Sequence, residues 1–438
     1  MTAVMAQSST RRFHFTTQGV APFGPDWERL SDADFRDRCD RLDSLGAVIG
    51  SPPEWAWDLL RIARAVFLVD KRFRRQVPDG WTRTIELSVQ VLEPGAWTSL
   101  VRQDLNALLG MLTSDVWRVA VHGGAVRQEK LPHAKPAAEI ALFSGGLDST
   151  SYAAQAAQRE EGPLVLIGYD DFLKARQTWL CEAIKSHRRR KVELHQIGQR
   201  PRTRSRGEPL ELSSRSRGFL YTATAVCAAA SHGLTEVAVP ENGQLAVNPA
   251  LTPSRLAALS TRSVHPWTLH RINRVITGLG GEVTVRNPLL NDTKGRVCAD
   301  AVGAGLDPRS VMRTVSCSRP RRARQAVRRS YHCGRCYPCL VRRSGLLNGL
   351  GEDTTDYVVG LPDLDPAAES SDDLRALLRW LCTDFTLHDL IADAPFPPEL
   401  PPSRVLPVVR AGRRELAAMI EHLLPSRSPF RRDWQPHL

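Results

Sequence analysis

Residues 139–158 read Glu-Ile-Ala-Leu-Phe-Ser-Gly-Gly-Leu-Asp-Ser-Thr-Ser-Tyr-Ala-Ala-Gln-Ala-Ala-Gln, and this stretch decides the fold. The run 140–143 is short and apolar, as a parallel strand covered on both faces should be. Ser144, Gly145 and Gly146 follow as a loop whose backbone can approach a ligand closely, because glycine carries no Cβ. Asp148, Ser149, Thr150 and Ser151 then open an Ala-rich helix, where unpaired N–H groups and the helix dipole favour an anion. A phosphate group is the natural ligand of such a strand, loop and helix.

Outward from this unit the chain alternates. Strands are expected at 163–169, 192–197 and 236–239, and helices at 149–159, 172–186 and 218–231. Strands separated by helices of this length imply βαβ units, a parallel sheet and right-handed crossovers. Ligands of such sheets lie at the carboxyl ends of the strands. Several residues map to that edge. Asp170 and Asp171 follow the second strand and either border a nucleoside or serve as polar turn residues. Arg217 stands at the entrance of an apolar helix, where its planar fork suits a phosphate or carboxylate. Glu241, Asn242 and Asn248 follow the fourth strand, and a short strand at 282–285 leads to Lys294, either a site residue or a surface lysine.

Cys317, Cys333, Cys336 and Cys339 form a C-x15-C-x2-C-x2-C pattern. Two residues between cysteines let successive thiolates point at one ion, and four thiolates complete the closed tetrahedral set of a structural zinc. An iron–sulfur cluster also takes four cysteines, but the ferredoxin run has a further Cys after three residues and then Pro, which is absent here. Arg319, Arg321, Arg322, Arg324, Arg328 and Arg329 lie between the first two ligands, as a solvated insertion or as a contact for a polyanion or an acidic partner. Arg342 and Arg343 follow the last ligand in an expected helix.

The whole chain of 438 residues sets the frame. Its 42% hydrophobic and 24% charged residues suit an ordinary globular protein. A net charge of +12 permits a polyanionic partner such as nucleic acid, nucleotide or an acidic protein, without choosing among them. No apolar run of 18 residues and no apolar leader occur, so neither a membrane span nor a secretion signal is expected. Five other cysteines, Cys39, Cys181, Cys227, Cys298 and Cys382, are scattered as packed thiols, which suits a reducing cytoplasm.

Residues 1–25 read as a flexible lead and 26–130 as an α+β accessory domain with an amphipathic helix near 53–72, a strand at 81–92 and a helix at 104–112. That block is a packing or oligomerisation unit, or a docking surface for a protein substrate. A linker at 131–136 precedes the core. The basic run 188–191 reads as a solvated face, and 265–267 as a loop. Residues 351–438 read as a helical extension, with helices at 372–382 and 412–424 and a frayed, basic end.

The loop is not a Walker A loop, since no lysine follows its second glycine. Ser144-Gly-Gly-Leu-Asp-Ser149 instead resembles the Ser-Gly-Gly-x-Asp-Ser signature of the PP-loop ATP pyrophosphatases, which cut ATP between the α- and β-phosphates and pass AMP to an oxygen of the substrate. Together with the later four cysteines and the adjacent Arg-Arg, the pattern over roughly residues 137–350 resembles the QueC family, the 7-cyano-7-deazaguanine synthases. The resemblance implies a parallel-sheet core of the adenine nucleotide alpha hydrolase type. It implies an ATP- and Mg²⁺-dependent carbon–nitrogen ligase that adenylates the carboxylate of 7-carboxy-7-deazaguanine and transfers it to an amine. It also implies that Ser144, Gly145, Gly146, Leu147, Asp148 and Ser149 hold ATP, and that the four cysteines hold Zn²⁺. Asp148, Ser149 and Arg217 are the candidate catalytic residues. About 135 residues precede the motif and about 90 follow the cysteines, a longer layout that looks like the QueC-like QatC proteins of bacterial anti-phage defence. There the amine is ammonia or belongs to a partner protein of the defence operon. The alternatives are a tRNA-modifying enzyme of the same superfamily and a non-catalytic ATP-binding subunit.

Overall fold

Two parallel sheets share one apolar core. The computed structural model describes residues 10–17, 24–36, 45, 48, 50–75, 81–126, 136–203, 209–249, 251, 262–318 and 332–438. The first sheet comprises β1 (Thr10–Thr16), β2 (Trp27–Ser31), β3 (Thr84–Gln90) and β4 (Val116–His122) in the order β2-β1-β3-β4, with every pairing parallel. Helices α1 (Glu54–Arg72) and α2 (Ser99–Thr113) make the crossovers before β3 and before β4. The expected flexible lead therefore contains a central strand, and the expected α+β domain is α/β. Phe13 and Phe15 are buried opposite Leu87 and Val89. Arg11 and Arg12, whose charge hides the strand pattern, are matched by Glu28 and Glu86, each at 2.8 Å.

Helix α1 was expected to bury one stripe. It is buried almost all round, because it lies between the first sheet and the core helix Arg217–Ser231. Its polar side chains find partners inside: Asp58 accepts the N–H groups of Leu92 and Glu93 at 2.8 and 2.9 Å, and Arg64 donates to Gln199 Oε1 at 2.7 Å.

The second sheet has the order β7-β6-β5-β8-β9 and is also parallel throughout. Its strands are β5 (Glu139–Leu142), β6 (Leu164–Tyr169), β7 (Val192–Ile197), β8 (Glu236–Ala238) and β9 (Thr284–Arg286). In chain order its helices are α3 (Leu147–Ala157), α4 (Lys174–Lys185), α5 (Arg217–Ser231), the short α6 (Gly243–Val247), α7 (Pro266–Gly278), α8 (Lys294–Gly303) and α9 (Pro308–Met312). One apolar cluster runs from Phe13 and Leu87 through α1 to Ile140, Phe219 and Val226, joining the two sheets. The opposite face of the second sheet packs against α3, α4 and α8. The 188–191 run is only partly a solvated face: Arg190 is buried and donates to Glu139 at 2.8 Å and Glu161 at 3.3 Å. His265 is not in a loop but caps α7, its Nδ1 accepting the N–H of Trp267 at 3.1 Å, with Pro266 in the first turn.

Helix α10 (Tyr337–Leu350) carries the chain past the cysteines, and α11 (Asp372–Leu381), α12 (Leu387–Asp393) and α13 (Leu406–Leu423) form a helical region that packs on α6 and α10. Its end is pinned, contrary to expectation. His437 N–H donates to the Leu381 carbonyl at 2.9 Å, and Arg413, 1% exposed, donates to the His437 carbonyl at 2.7 Å. Among the described residues no helix is long and apolar enough to cross a membrane. The six arginines between 319 and 329, Cys39 and most of the 131–136 linker lie outside the described residues.

Candidate functional site

The glycine loop sits where β5 ends and α3 begins, at the carboxyl edge of the sheet. Gly145 has φ +73°, a left-handed conformation that glycine adopts without strain, and its carbonyl accepts the Val315 N–H at 3.0 Å. Ser144 Oγ accepts the Gly146 N–H and meets Ser149 Oγ, both at 3.2 Å, while Ser149 Oγ donates to the Gly146 carbonyl at 3.1 Å. The two serines thus brace the turn from within. Gly146, Asp148 and Ser149 line a pocket of about 330 Å³, and among the described residues no side chain caps the first turn of α3. Leu147, between them in sequence, is buried in the core on the other side of α3.

Asp148 is held from two directions. Lys294, at the first position of α8 and 0% exposed, donates to its Oδ2, and Asn242 Nδ2 approaches its Oδ1 at 3.3 Å. The same Asn242 amide lies 3.3 Å from Glu241 Oε1. Asn287 clamps the backbone of Glu241, accepting its N–H at 3.0 Å and donating to its carbonyl at 2.7 Å. Burial, and then the charge of Asp148, push the Glu241 carboxyl well above the usual carboxylate range, while Lys294 opposes the shift. Lys294 is therefore a site residue, not a surface lysine.

Arg217, the first residue of α5, is exposed and lines the same pocket, with its guanidinium over the Tyr169 ring at 5.5 Å. Among the described residues it makes no ion pair. Asn248, which ends α6 with φ +46°, also reaches the wall. Asp170 and Asp171 are turn residues: Lys174 Nζ donates to Asp170 at 3.0 Å and the Leu173 N–H to Asp171 at 2.7 Å. It is Leu173 that faces the pocket beside them.

The four cysteines meet. Their Sγ atoms all lie within 4.8 Å of one another, with Cys317 to Cys336 at 3.8 Å and Cys333 to Cys339 at 3.9 Å. Sulfurs each about 2.3 Å from a tetrahedral ion stand about 3.8 Å apart, so the set fits a metal ion such as zinc. Gly334, at φ +83°, makes the turn between Cys333 and Cys336, and a Cβ there would come within 3.1 Å of Tyr357 Cβ. The Cys336 N–H points at Cys333 Sγ at 3.3 Å, which favours a thiolate.

Helix α10 ties this cluster to the glycine loop. Arg342, fully buried, donates to Thr314 Oγ1 at 2.7 Å and to the Met312 carbonyl at 2.8 Å, fixing the segment that leads through Val315 to Cys317. Gly345 and Gly349 of the same helix give room for Lys294 and Gly295. Cys317 and Ser316 both line the pocket, and Ser316 Oγ is buried without a hydrogen-bond partner among the described residues.

Sequence reasoning missed Ser316, Tyr337 and Asp373 as wall residues. Asp373 lies in the acidic stretch of the C-terminal extension, where composition gives no sign of a site. Its carboxylate accepts the Tyr337 N–H at 2.8 Å, which brings α11 to the pocket. Tyr337 directly follows Cys336 of the cysteine cluster, so its proximity was the one available signal. With loop amides, the Arg217 guanidinium, Lys294 and the carboxyl groups of Asp148, Glu241 and Asp373 in its lining, the pocket can take an oxyanion-bearing ligand and order it. No family model matches the chain, and no curated protein matches it.

Proposed function

We propose that the chain is an ATP-dependent ligase that activates a carboxylate as its adenylate and passes the acyl group to an amine. The observation that carries this reading is that the Ser144–Ser149 loop, Arg217 and Lys294 share one pocket at the carboxyl edge of a parallel sheet. The substrate proposed is 7-carboxy-7-deazaguanine, and the setting is bacterial anti-phage defence in the cytoplasm, with the amine from ammonia or a partner protein. Both follow from the resemblance of the loop and cysteine motifs to QueC and QatC proteins.

In this reading the carboxylate oxygen attacks the α-phosphorus of ATP, the bond to the β-phosphate oxygen breaks, and pyrophosphate leaves. The amine then attacks the acyl carbon, AMP leaves, and the amine loses a proton. The amides of the first turn of α3 face the departing pyrophosphate, and Ser144 and Ser149 hold the preceding turn in shape, Ser144 Oγ taking the Gly146 N–H. Arg217 orients an oxyanion of the ligand by a planar fork. Lys294 and Asn242 occupy both oxygens of Asp148, so Asp148 orders the loop. Mg²⁺ bound with ATP supplies charge neutralisation at the phosphates. The four cysteines would hold Zn²⁺ in a closed set that leaves no position for substrate, a structural role.

The test is to incubate the purified chain with Mg²⁺-ATP, 7-carboxy-7-deazaguanine and ammonia or its genomic neighbours, following AMP and intact masses. Carboxylate-dependent AMP, lost in Ser149→Ala and Arg217→Ala, is expected. Bound ATP with no AMP under any of these conditions would sink the ligase and leave a nucleotide-binding subunit.

A further inference from the structure

The segment that delivers Arg217 to the pocket is held by the N-terminal part of the chain. Lys71, near the end of α1 and buried, donates to the Glu211 carbonyl, to the Ser213 carbonyl at 2.7 Å and to Ser214 Oγ at 3.3 Å. Its neighbour Asp70 accepts the Ser216 N–H at 3.1 Å and the Ser216 hydroxyl at 2.7 Å. The Arg75 N–H donates to Glu211 Oε2 at 2.9 Å. Asp70 is fixed in turn by Arg83 at 2.7 Å, and Arg83 shares Asp115 with Arg75 at 2.6 and 2.7 Å.

A lysine taken out of water must recover its hydration from protein oxygens, and Lys71 recovers it from this one segment. The segment ends one residue before Arg217. A bidentate arginine contact tolerates little angular error, so an arginine on a loop needs that loop anchored from outside. Helix α5 cannot supply the anchor alone, because Arg217 is its first residue.

We propose that Lys71 and Asp70 are positioning residues that place Arg217 for a ligand oxyanion, so that the N-terminal sheet and α1 complete the binding pocket of the second sheet. The oxyanion is a phosphate of the nucleotide or the carboxylate of the acyl substrate. This inference rests on the oxyanion-binding reading of the pocket and does not require turnover.

The experiment is a double-mutant cycle on the full-length chain, read as dissociation constants by calorimetry. The probes are ATP against adenosine, and 7-carboxy-7-deazaguanine against its uncharged amide. Arg217→Ala is expected to weaken one charged probe about tenfold, the loss of about 1.4 kcal/mol, and to leave its neutral counterpart unchanged. The probe affected identifies the oxyanion. Lys71→Met is expected to weaken the same probe several-fold in the wild-type background and not at all beside Arg217→Ala. Ser216→Ala, which removes only the hydroxyl contact to Asp70, is a milder variant that keeps the cycle readable if Lys71→Met does not fold. Equal losses with and without Arg217, or equal losses for charged and neutral probes, overturn the proposal. A wild-type chain that binds the probes but makes no AMP removes the ligase reading and leaves the cycle interpretable.

Discussion

Lys294 and Asp148 form a buried ion pair across 146 residues of sequence, joining the first turn of α8 to the first turn of α3. Both side chains are at least nine-tenths buried, and the pair ties the glycine loop to the helix that packs on the cysteine-bearing α10. The pocket and the cysteine cluster are therefore joined through these two helices.

Removing one partner should leave the other charge buried and unpaired. Lys294→Met is expected to lower unfolding stability by about 3–5 kcal/mol, and Lys294→Met with Asp148→Asn to recover a sizeable part of that loss. Denaturant midpoints measure both, and a single-mutant effect of the size seen at exposed sites would refute the pairing.

Glu241 gives the stability a pH dependence of definite sign. Its folded carboxyl titrates well above its ordinary value of 4.5, owing first to burial and then to Asp148. Its contribution is therefore full below about pH 4.5 and lost as pH rises through the raised value. Glu241→Gln removes this term, so the melting temperature of the variant should gain on that of the wild type as pH is raised from about 4.5. Parallel curves for the two proteins would show that Glu241 ionises normally.

The cysteine cluster predicts one bound metal ion per chain by elemental analysis, lost in Cys339→Ser. Because Arg342 and the Val315 N–H connect the cluster to Gly145, stripping the ion with a chelator should both lower the thermal transition and weaken ATP binding. Unchanged ATP affinity in the stripped protein would argue that the loop is held without the metal.

Two glycines offer a matched contrast. A Cβ at Gly345 would lie 2.8 Å from Lys294 Cβ, so Gly345→Ala should cost about 1–3 kcal/mol by overpacking. A Cβ at Gly303, the last residue of α8, meets open space, and Gly303→Ala should be neutral or stabilising by up to about 1 kcal/mol. Chemical denaturation separates the two, and similar values would mean that α8 and α10 do not pack as closely as described.

The legible parts of the chain were those in which local pattern and burial agree. The strand at 192–197 lies where it was expected, with Val192, Leu194 and Ile197 as its apolar positions, and α3, α4 and α5 start within two residues of expectation. The N-terminal strands were hidden because Arg11, Arg12 and Glu28 break the apolar alternation, and their charges are matched instead by partners on the neighbouring strands. Helix α1 looked one-sided because Asp58, Arg61 and Arg64 read as solvent-facing residues, whereas each bonds to a neighbouring segment inside the core.

By itself the sequence determined the glycine turn, the parallel second sheet and the identity of the four cysteines, because these depend on φ, strand period and ligand spacing within short stretches. The tertiary structure decided which charged residues serve the pocket. Glu241 and Lys294 were placed at the sheet edge by the strands they follow, but their pairing with Asn242 and Asp148 was not legible, and Asp373 and the Lys71–Asp70 clamp carry no local mark, since a buried charge is specified by the partner that faces it and not by its neighbours in the chain.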